Sequence, residues 1–291
     1  MPSTHVTEDS GEKGPGTLFV VATPIGNLAD ITLRALDVLR SVDRIAAEDT
    51  RRTRKLLSFY DIHKPLVSYH GHNIQKRGPE LIARMLEGED IALVTDAGTP
   101  GISDPGALLI SQALEKDLAV SVIPGPAALI TALVGSGLPT HPFAFLGFAP
   151  GRGAGRRRFF TRYSSLPMTV ILYESPQRLH ATLQDILRIW GDRRIAVARE
   201  LTKKFEEVFR GKVSEAADHF AEGVRGELTL VVEGAEEETG EVEEKDWRED
   251  LQSLLDVPGT SVKEAVRRIM ERHGLPRRMV YREAVDRRKE E

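Results

Sequence analysis

The sequence has no cysteine among its 291 residues. Without thiols the chain forms no disulfide, no thiolate zinc site and no iron–sulfur cluster, and it lacks a cysteine nucleophile. Long hydrophobic runs are also missing, since no apolar stretch approaches the roughly 20 residues that span a bilayer. The first 15 residues are polar and lack the apolar core of a signal peptide, so they predict a disordered tail. These absences favour a cytoplasmic protein that does not bind a membrane.

A strong charge of one sign is absent from the chain as a whole, which has a formal net charge of −4. Residues 1–235 carry 28 acidic and 28 basic side chains, whereas residues 236–256 carry ten acidic and only two basic ones. Residues 257–291 carry ten basic and six acidic side chains. An acidic block between other segments is typical of a solvated linker. We therefore predict a neutral body, an acidic linker at 236–256 and a small basic domain at 257–291.

The body alternates short apolar runs with helical patterns. Runs such as LFVVA, IALVT and TVILY are apolar throughout, which is typical of strands buried on both faces of a sheet. The alternation predicts an α/β fold with largely parallel sheets. Because nine strands exceed one small sheet, we divide the body into α/β lobes at 16–123 and 124–235. Strands are predicted at 18–22, 43–47, 66–69, 91–95, 119–123, 143–148, 169–173, 195–199 and 228–232, and helices at 30–41, 105–116 and 176–190.

The basic domain has clear helix signals. Ser261 and Glu264 have the spacing of a capping box, which opens a helix. That helix should end at Gly274, and a second helix should follow Pro276 as far as about residue 288. Two short helices around a tight turn predict a helix-turn-helix-like segment.

Three turns rich in glycine or proline follow predicted strands: ATPIGN at 22–27, TDAGTPGISDPG at 95–106 and IPGPAA at 123–128. Open α/β sheets bind ligands at the carboxyl ends of their strands, and glycine lets the backbone approach a ligand closely. If the three strands are parallel neighbours, these turns converge on one crevice. None of them has the GxGxxG pattern of a dinucleotide site, which disfavours a nicotinamide-dependent oxidoreductase.

Charged side chains form a second group of candidates. The segment 47–55 places two carboxylates and four cations beside a strand end. Five arginines between 152 and 162 surround three aromatic residues with no acid among them, a pattern that suits phosphate contact and base stacking. A solvated helix face is the alternative. His70 and His72 have no third ligand nearby in sequence, so we expect no metal site.

Seven motifs occur in order: ATPIGNLADIT, AAEDTRRT, DAGTPGISDPG, IPGPAA, YESPQR, RELTKKFEE and GELTLVVEG. Over residues 16–234 the chain resembles the ribosomal small-subunit methyltransferase I family of the tetrapyrrole (corrin/porphyrin) methylase superfamily. The basic tail resembles that family's C-terminal extension. The resemblance implies an S-adenosylmethionine-dependent enzyme that methylates the ribose 2′-oxygen of a decoding-centre cytidine in 16S rRNA of the small ribosomal subunit. It also implies two α/β lobes with the donor in the cleft between them, usually in a homodimer.

The chemistry of the reaction, the charge pattern and the resemblance together give candidate residues. A proton acceptor for the ribose hydroxyl is left open among Glu48, Asp49, His70, Glu174 and Glu200. Members of the family often place an acid between the two histidines, where this chain has Gly71, so that position offers no base. The residues implied for the donor are Pro24, Asp96, Ala97, Gly98, Ile102, Ala127, Ala128, Tyr173, Leu201, Leu228 and Thr229. The residues predicted to contact RNA are Arg51, Arg152, Arg156, Arg157, Arg158, Arg162, Arg178, Arg277 and Arg278.

Two other functions stay open. One is a methyltransferase that acts on a tetrapyrrole or another small molecule, which the arginine segment and the appended helices disfavour. The other is a non-catalytic RNA-binding assembly protein, which the three intact turns disfavour.

Overall fold

The computed structural model describes residues 14–151, 153–236, 244–257 and 260–287. The predicted tail lies almost wholly outside these residues, and so does Arg152. Residues up to Ala235 form one unit, and residues from Glu236 onward form a second. No helix within the described ranges is long and apolar enough to cross a membrane.

The first sheet is fully parallel and has the strand order β3-β2-β4-β1-β5. In this order β1 lies between β4 and β5, so the chain segments that leave these three strands emerge side by side. The strands of this sheet are β1 (Thr17–Val21), β2 (Arg44–Ala47), β3 (Leu66–Ser68), β4 (Ile91–Val94) and β5 (Ala119–Ile123).

Helices cover both faces of this sheet. Leu39 and Leu57 pack against one face together with Ile45, whereas Leu81 and Leu109 pack against the other face. Burial of the strands on both sides explains their continuous apolar sequences. The helices are α1 (Leu33–Ser41), α2 (Thr50–Phe59), α3 (Ile74–Leu86) and α4 (Gly106–Leu114), and a 3₁₀ turn spans Leu28–Asp30.

The second sheet has the order β6-β7-β10-β8-β9, and only its β6–β7 pair is parallel. The other three pairs are antiparallel, so the prediction of largely parallel sheets is wrong for this half. The prediction also missed β9, an edge strand whose sequence EVFRGK is only half buried and carries no continuous apolar run. The strands are β6 (Phe143–Phe148), β7 (Thr169–Glu174), β8 (Arg194–Arg199), β9 (Glu207–Lys212) and β10 (Leu228–Val232).

Helices also flank the second sheet on two sides. Residues of α6 (Gly153–Tyr163), α7 (Leu179–Trp190) and α8 (Val213–His219) share one apolar cluster with this sheet. The helix α5 (Ala128–Ser136) belongs to a separate cluster with the sheet's opposite side chains. The α/β fold class is thus confirmed. The boundary predicted near residue 124 falls in the connection between β5 and α5.

The second unit is a three-helix cluster formed by α9 (Glu244–Leu255), α10 (Val262–His273) and α11 (Arg277–Arg287). Ser261 caps α10 by accepting the Glu264 N–H, and Gly274 ends it in a left-handed conformation, as the sequence predicts. The linker prediction for 236–256 is wrong for the twelve residues of α9. Trp247 and Leu251 of that helix are fully buried against α10 and α11. Their i, i+4 spacing makes an apolar face that the high acidic content concealed.

Candidate functional site

The three glycine- and proline-rich turns meet at the carboxyl end of the first sheet, as their positions predict. Thr23, after β1, exchanges two backbone hydrogen bonds with Gly98, after β4, at 2.9 and 3.0 Å. The Thr23 hydroxyl also donates to the Thr95 carbonyl oxygen at 3.1 Å. Gly98 has a φ of +82°, a conformation that strains any residue with a Cβ. These bonds fix the turns against each other, which is the preorganisation that a binding site needs.

A cavity of about 380 Å³ lies at this end and is lined by residues of both sheets. The first sheet supplies residues that follow β1, β2, β4 and β5, and the second supplies the ends of β6, β7, β8 and β10. Pro24 is the one predicted donor residue that does not line the cavity; it is buried behind its neighbour Ile25, which does. The predicted donor residues in the wall are Asp96, Ala97, Gly98, Ile102, Ala127, Ala128, Tyr173, Leu201, Leu228 and Thr229.

Several wall residues were not predicted from the sequence. Thr95 and Thr99 lie inside the glycine-rich segment that the sequence marks, so their type and position were detectable signals. Phe148 ends an edge strand and Glu227 precedes an antiparallel strand. Glu227 lies in the motif GELTLVVEG, directly before the predicted Leu228, so its position was also detectable. No local pattern indicates Phe148, because only the folding of the second sheet brings it to the cavity.

Glu48 and Asp96 form a carboxylate pair in the cavity wall. Glu48 Oε2 accepts hydrogen bonds from the Thr95 hydroxyl at 2.7 Å and from the Asp96 N–H at 3.3 Å. Burial raises the pKa of Asp96, and the nearby charge of Glu48 raises it further. The Asp49 N–H and the Arg52 guanidinium, 3.2 Å from Asp96 Oδ2, partly oppose this rise. A negative charge on Asp96 therefore carries an energetic cost in this site.

We expect Asp96→Asn to stabilise the protein at neutral pH. A carboxyl with a raised pKa binds its proton more tightly in the folded than in the unfolded state, so its ionisation lowers stability as the pH rises above the unfolded pKa. The amide removes that loss, with an expected gain of about 0.5–2 kcal/mol in the free energy of unfolding. Urea unfolding between pH 4 and 8 measures this. Asp104→Asn is the control, since Asp104 accepts N–H bonds from Gly101 and Gly106 and should give no gain.

Asp49 and Glu174, two of the candidate bases, have structural partners. Asp49 caps α2 and accepts from both the backbone and the side chain of Arg51, which lowers the pKa of Asp49 to about 2. The Glu174 side chain is 1% exposed and accepts from Ser175 N–H at 2.7 Å and from the Thr182 hydroxyl at 2.6 Å. Both carboxylates therefore hold local structure, although Glu174 also touches the cavity.

His70 and Glu200, two further candidates, lie outside the cavity wall. His70 Nδ1 is buried without a hydrogen-bond partner in the described part of the chain. Glu200 accepts from Lys203 Nζ at 2.8 Å and from the Glu227 N–H at 3.0 Å. The hydrogen bond from Lys203 lowers the pKa of Glu200. Glu48 is thus the candidate that reaches the cavity and retains an oxygen, Oε1, without a hydrogen bond from any described residue.

The arginine segment 152–163 differs from its prediction in two respects. Arg156 is not an RNA-facing cation, because its guanidinium donates to Asp185 of α7 at 2.7 Å and both side chains are nearly buried. An acid from another helix therefore supplies the counter-charge that the segment itself lacks. Phe160 is buried beside Trp190, and its ring is unavailable for base stacking. Phe159 and Tyr163 pack on the same core, whereas Arg157, Arg158 and Arg162 are exposed.

The other predicted RNA-contacting arginines occupy different surroundings. Arg51 is exposed and paired with Asp49. Arg178 donates to the Ala149 carbonyl oxygen, and its Nε lies 3.2 Å from Glu174 Oε1 in an ion pair without hydrogen-bond geometry. Arg277 and Arg278 are exposed in the first turn of α11. Across the described ranges, no group of three or more His, Asp or Glu side chains is arranged to hold a metal ion.

Comparisons with known proteins agree with this architecture. The model of the Tetrapyrrole (Corrin/Porphyrin) Methylases family matches residues 17–217. The chain therefore belongs to the tetrapyrrole methylase family and, within it, to the ribosomal RNA small subunit methyltransferase I proteins. One such protein, from Halalkalibacterium halodurans, is 47% identical over 272 residues, which cover 91% of this chain and 93% of the relative.

Solved structures share the fold at low sequence identity. A diphthine synthase structure has a TM-score of 0.60 at 16% identity and covers 75% of this chain and 90% of its own. A uroporphyrin-III C-methyltransferase from Thermus thermophilus, complexed with S-adenosyl homocysteine, has a TM-score of 0.55 at 18% identity, with coverage of 74% and 97%.

Proposed function

We propose that this protein transfers a methyl group from S-adenosylmethionine to the ribose 2′-oxygen of a decoding-centre cytidine in 16S rRNA. The observation that carries the proposal is the cavity, which ten predicted donor residues from separate motifs line together with the carboxylate of Glu48. The names of its relatives, which describe methyltransferases of small-subunit ribosomal RNA, support the choice of substrate.

The chemistry of the wall fits this donor. Leu129, Leu201 and Leu228 give the second-sheet side an apolar surface that suits an adenine ring. The backbone groups of Ala97, which form no hydrogen bond with any described residue, are available to polar atoms of the ligand, and the carboxylates of Glu48 and Asp96 favour a cation. When bound, S-adenosylmethionine supplies a methyl group on a positively charged sulfur. The described wall carries five carboxylates, those of Glu48, Asp96, Asp104, Glu174 and Glu227, and one cation, Arg52, so its acidic excess complements that charge.

Glu48 is our proposed proton acceptor. A ribose hydroxyl is a weak nucleophile while protonated, and a positioned base accelerates its attack. The Thr95 hydroxyl holds Glu48 Oε2, which leaves Oε1 to accept the hydroxyl proton. The rigid turns would align the oxygen with the methyl group, and such alignment is a large part of catalysis.

The substrate requires contacts beyond the donor cavity. The exposed Arg157, Arg158 and Arg162, and the exposed Arg277 and Arg278 of the second unit, are proposed to contact RNA phosphates. We further propose that the protein acts in the cytoplasm on the small ribosomal subunit, and that it does so as a homodimer.

The activity is tested with small ribosomal subunits that lack the modification. Incubation with methyl-labelled S-adenosylmethionine is expected to label 16S rRNA once per subunit, and nuclease mapping should place the label on the ribose of one decoding-centre cytidine. Free 16S rRNA and subunits that already carry the methyl group are the controls. Label on a base, on protein or on no RNA would contradict the proposal.

A further inference from the structure

A second, open groove lies outside the cavity. It has a volume of about 620 Å³ and is formed by three chain segments. These are the turn at 26–29 after β1, Phe59 and Tyr60 at the end of α2, and residues 202–204 after β8. The first and third segments belong to the motifs ATPIGNLADIT and RELTKKFEE. The proposed donor site accounts for only some of the residues in these motifs.

Two phenylalanines are exposed at this groove. Phe59 lies in the groove wall and is 65% exposed. Phe205 follows the wall residue Lys204 in the sequence and is 67% exposed. Lys204 Nζ lies 5.6 Å from the centre of the Phe205 ring. The neighbouring Tyr60 differs, because its hydroxyl donates to the Leu28 carbonyl oxygen at 2.6 Å and ties the groove wall together. Exposed aromatic rings on a braced wall indicate a surface that binds a partner.

The helix α2 connects this groove with the donor cavity. Glu48 and Arg52 at its start line the cavity, and Phe59 at its end lines the groove. Ten helical residues span about 15 Å. Along that distance Arg54 and Lys55 are exposed and form no ion pair with any described residue. The sequence TRRTRKLLSF of α2 contains no acid. Exposed cations of α2 thus lie between the cavity and the groove.

We infer that the basic face of α2 and the phenylalanine groove bind the single-stranded RNA next to the nucleotide that is methylated; this inference rests on the proposed function. Phosphates of such a strand pair with Arg54 and Lys55, and its bases stack on Phe59 and Phe205. Stacking on aromatic side chains beside cations is the recurring mode of single-strand binding. A protein partner is a poorer match, because α2 offers cations and no acidic residue with which a partner's cations could pair.

The test measures the affinity of the full chain for a fluorescein-labelled oligocytidine by anisotropy at several salt concentrations. Phe59→Ala and Phe205→Ala are each expected to weaken binding about tenfold. The double variant Arg54→Ala/Lys55→Ala should reduce the slope of log affinity against log salt by about 1.4, which is the loss of two single-strand phosphate contacts. Affinity for S-adenosylhomocysteine, measured by calorimetry, should not change in any of them, which shows that the fold and the cavity are intact.

The control variant Leu114→Ala/Lys116→Ala removes an exposed apolar side chain and an exposed cation outside the groove and should bind RNA normally. Normal RNA affinity in the phenylalanine variants would overturn the inference, and so would a loss of self-association in light scattering without a change in RNA binding. If the wild type labels no 16S rRNA while the groove variants lose oligocytidine binding, the proposed function fails and the groove remains an RNA site.

Discussion

Replacing Glu48 with glutamine is expected to lower the rate of methyl transfer about 10²- to 10⁴-fold, which is the usual contribution of a general base. Glutamine keeps an oxygen that accepts the 2.7 Å hydrogen bond from the Thr95 hydroxyl, so the cavity wall should keep its shape. The amide cannot take up the ribose proton. The loss should therefore appear in kcat measured on small subunits, with little change in KM for the subunit.

The matched control is Glu227→Gln in the same cavity wall. The Glu227 side chain is 66% exposed and pairs with Lys203, so its replacement should leave kcat within about twofold, as for most exposed pairs. Equilibrium binding of S-adenosylhomocysteine separates catalysis from donor affinity in both variants. If Glu48→Gln retains wild-type kcat, or if its donor affinity falls as far as its rate, Glu48 is not the base.

Replacing Asp185 with alanine is expected to lower the free energy of unfolding by about 3 kcal/mol, because it leaves a nearly buried guanidinium without its partner. Arg156 donates to Asp185 at 2.7 Å, and the exposed Arg188 pairs with the same carboxylate. Urea denaturation followed by circular dichroism measures the change. RNA affinity of the folded variant should remain at the wild-type level.

The double variant Arg157→Ala/Arg158→Ala should weaken RNA binding and leave stability almost unchanged, the opposite of the result expected for Asp185→Ala. Both side chains are exposed and form no hydrogen bond or ion pair with any described residue, so stability should change by less than about 0.5 kcal/mol. RNA affinity should fall and depend less steeply on salt. An arginine segment that binds RNA through all its members would instead gain affinity in Asp185→Ala, where Arg156 is released from its acid. Equal RNA affinity in the double variant and the wild type would remove the segment from the RNA-binding surface.

Local sequence patterns predicted most of the strands. The predicted bounds of β5, β6 and β10 match the structure residue for residue. Pro124 follows β5, Pro150 lies two residues after β6 and Glu233 follows β10, and these local signals do not depend on the rest of the fold. The edge strand β9 escaped prediction because an edge strand buries little, and its sequence therefore keeps its polar residues.

The amino-acid sequence by itself determined the α/β class, the three turns that contribute to the cavity and the two-helix pattern of the basic tail. Each of these depends on residues that are close together in the chain. Tertiary structure alone decided which charges are available for function. Arg156 meets its acid 29 residues away, and Glu174 meets Thr182 on the following helix, so neither pairing has a local signal.

The charge distribution of the chain shows the same contrast between local sequence and long-range packing. The acidic excess of 236–256 predicted a linker, yet α9 buries Trp247 and Leu251 and joins the helical unit. A count of charges describes only the solvated face of such a helix. Its apolar face becomes buried only when α10 and α11 pack against it. Composition thus determined which charges the chain carries, and long-range packing decided which of them face a ligand, because burial and pairing depend on neighbours that are distant in sequence.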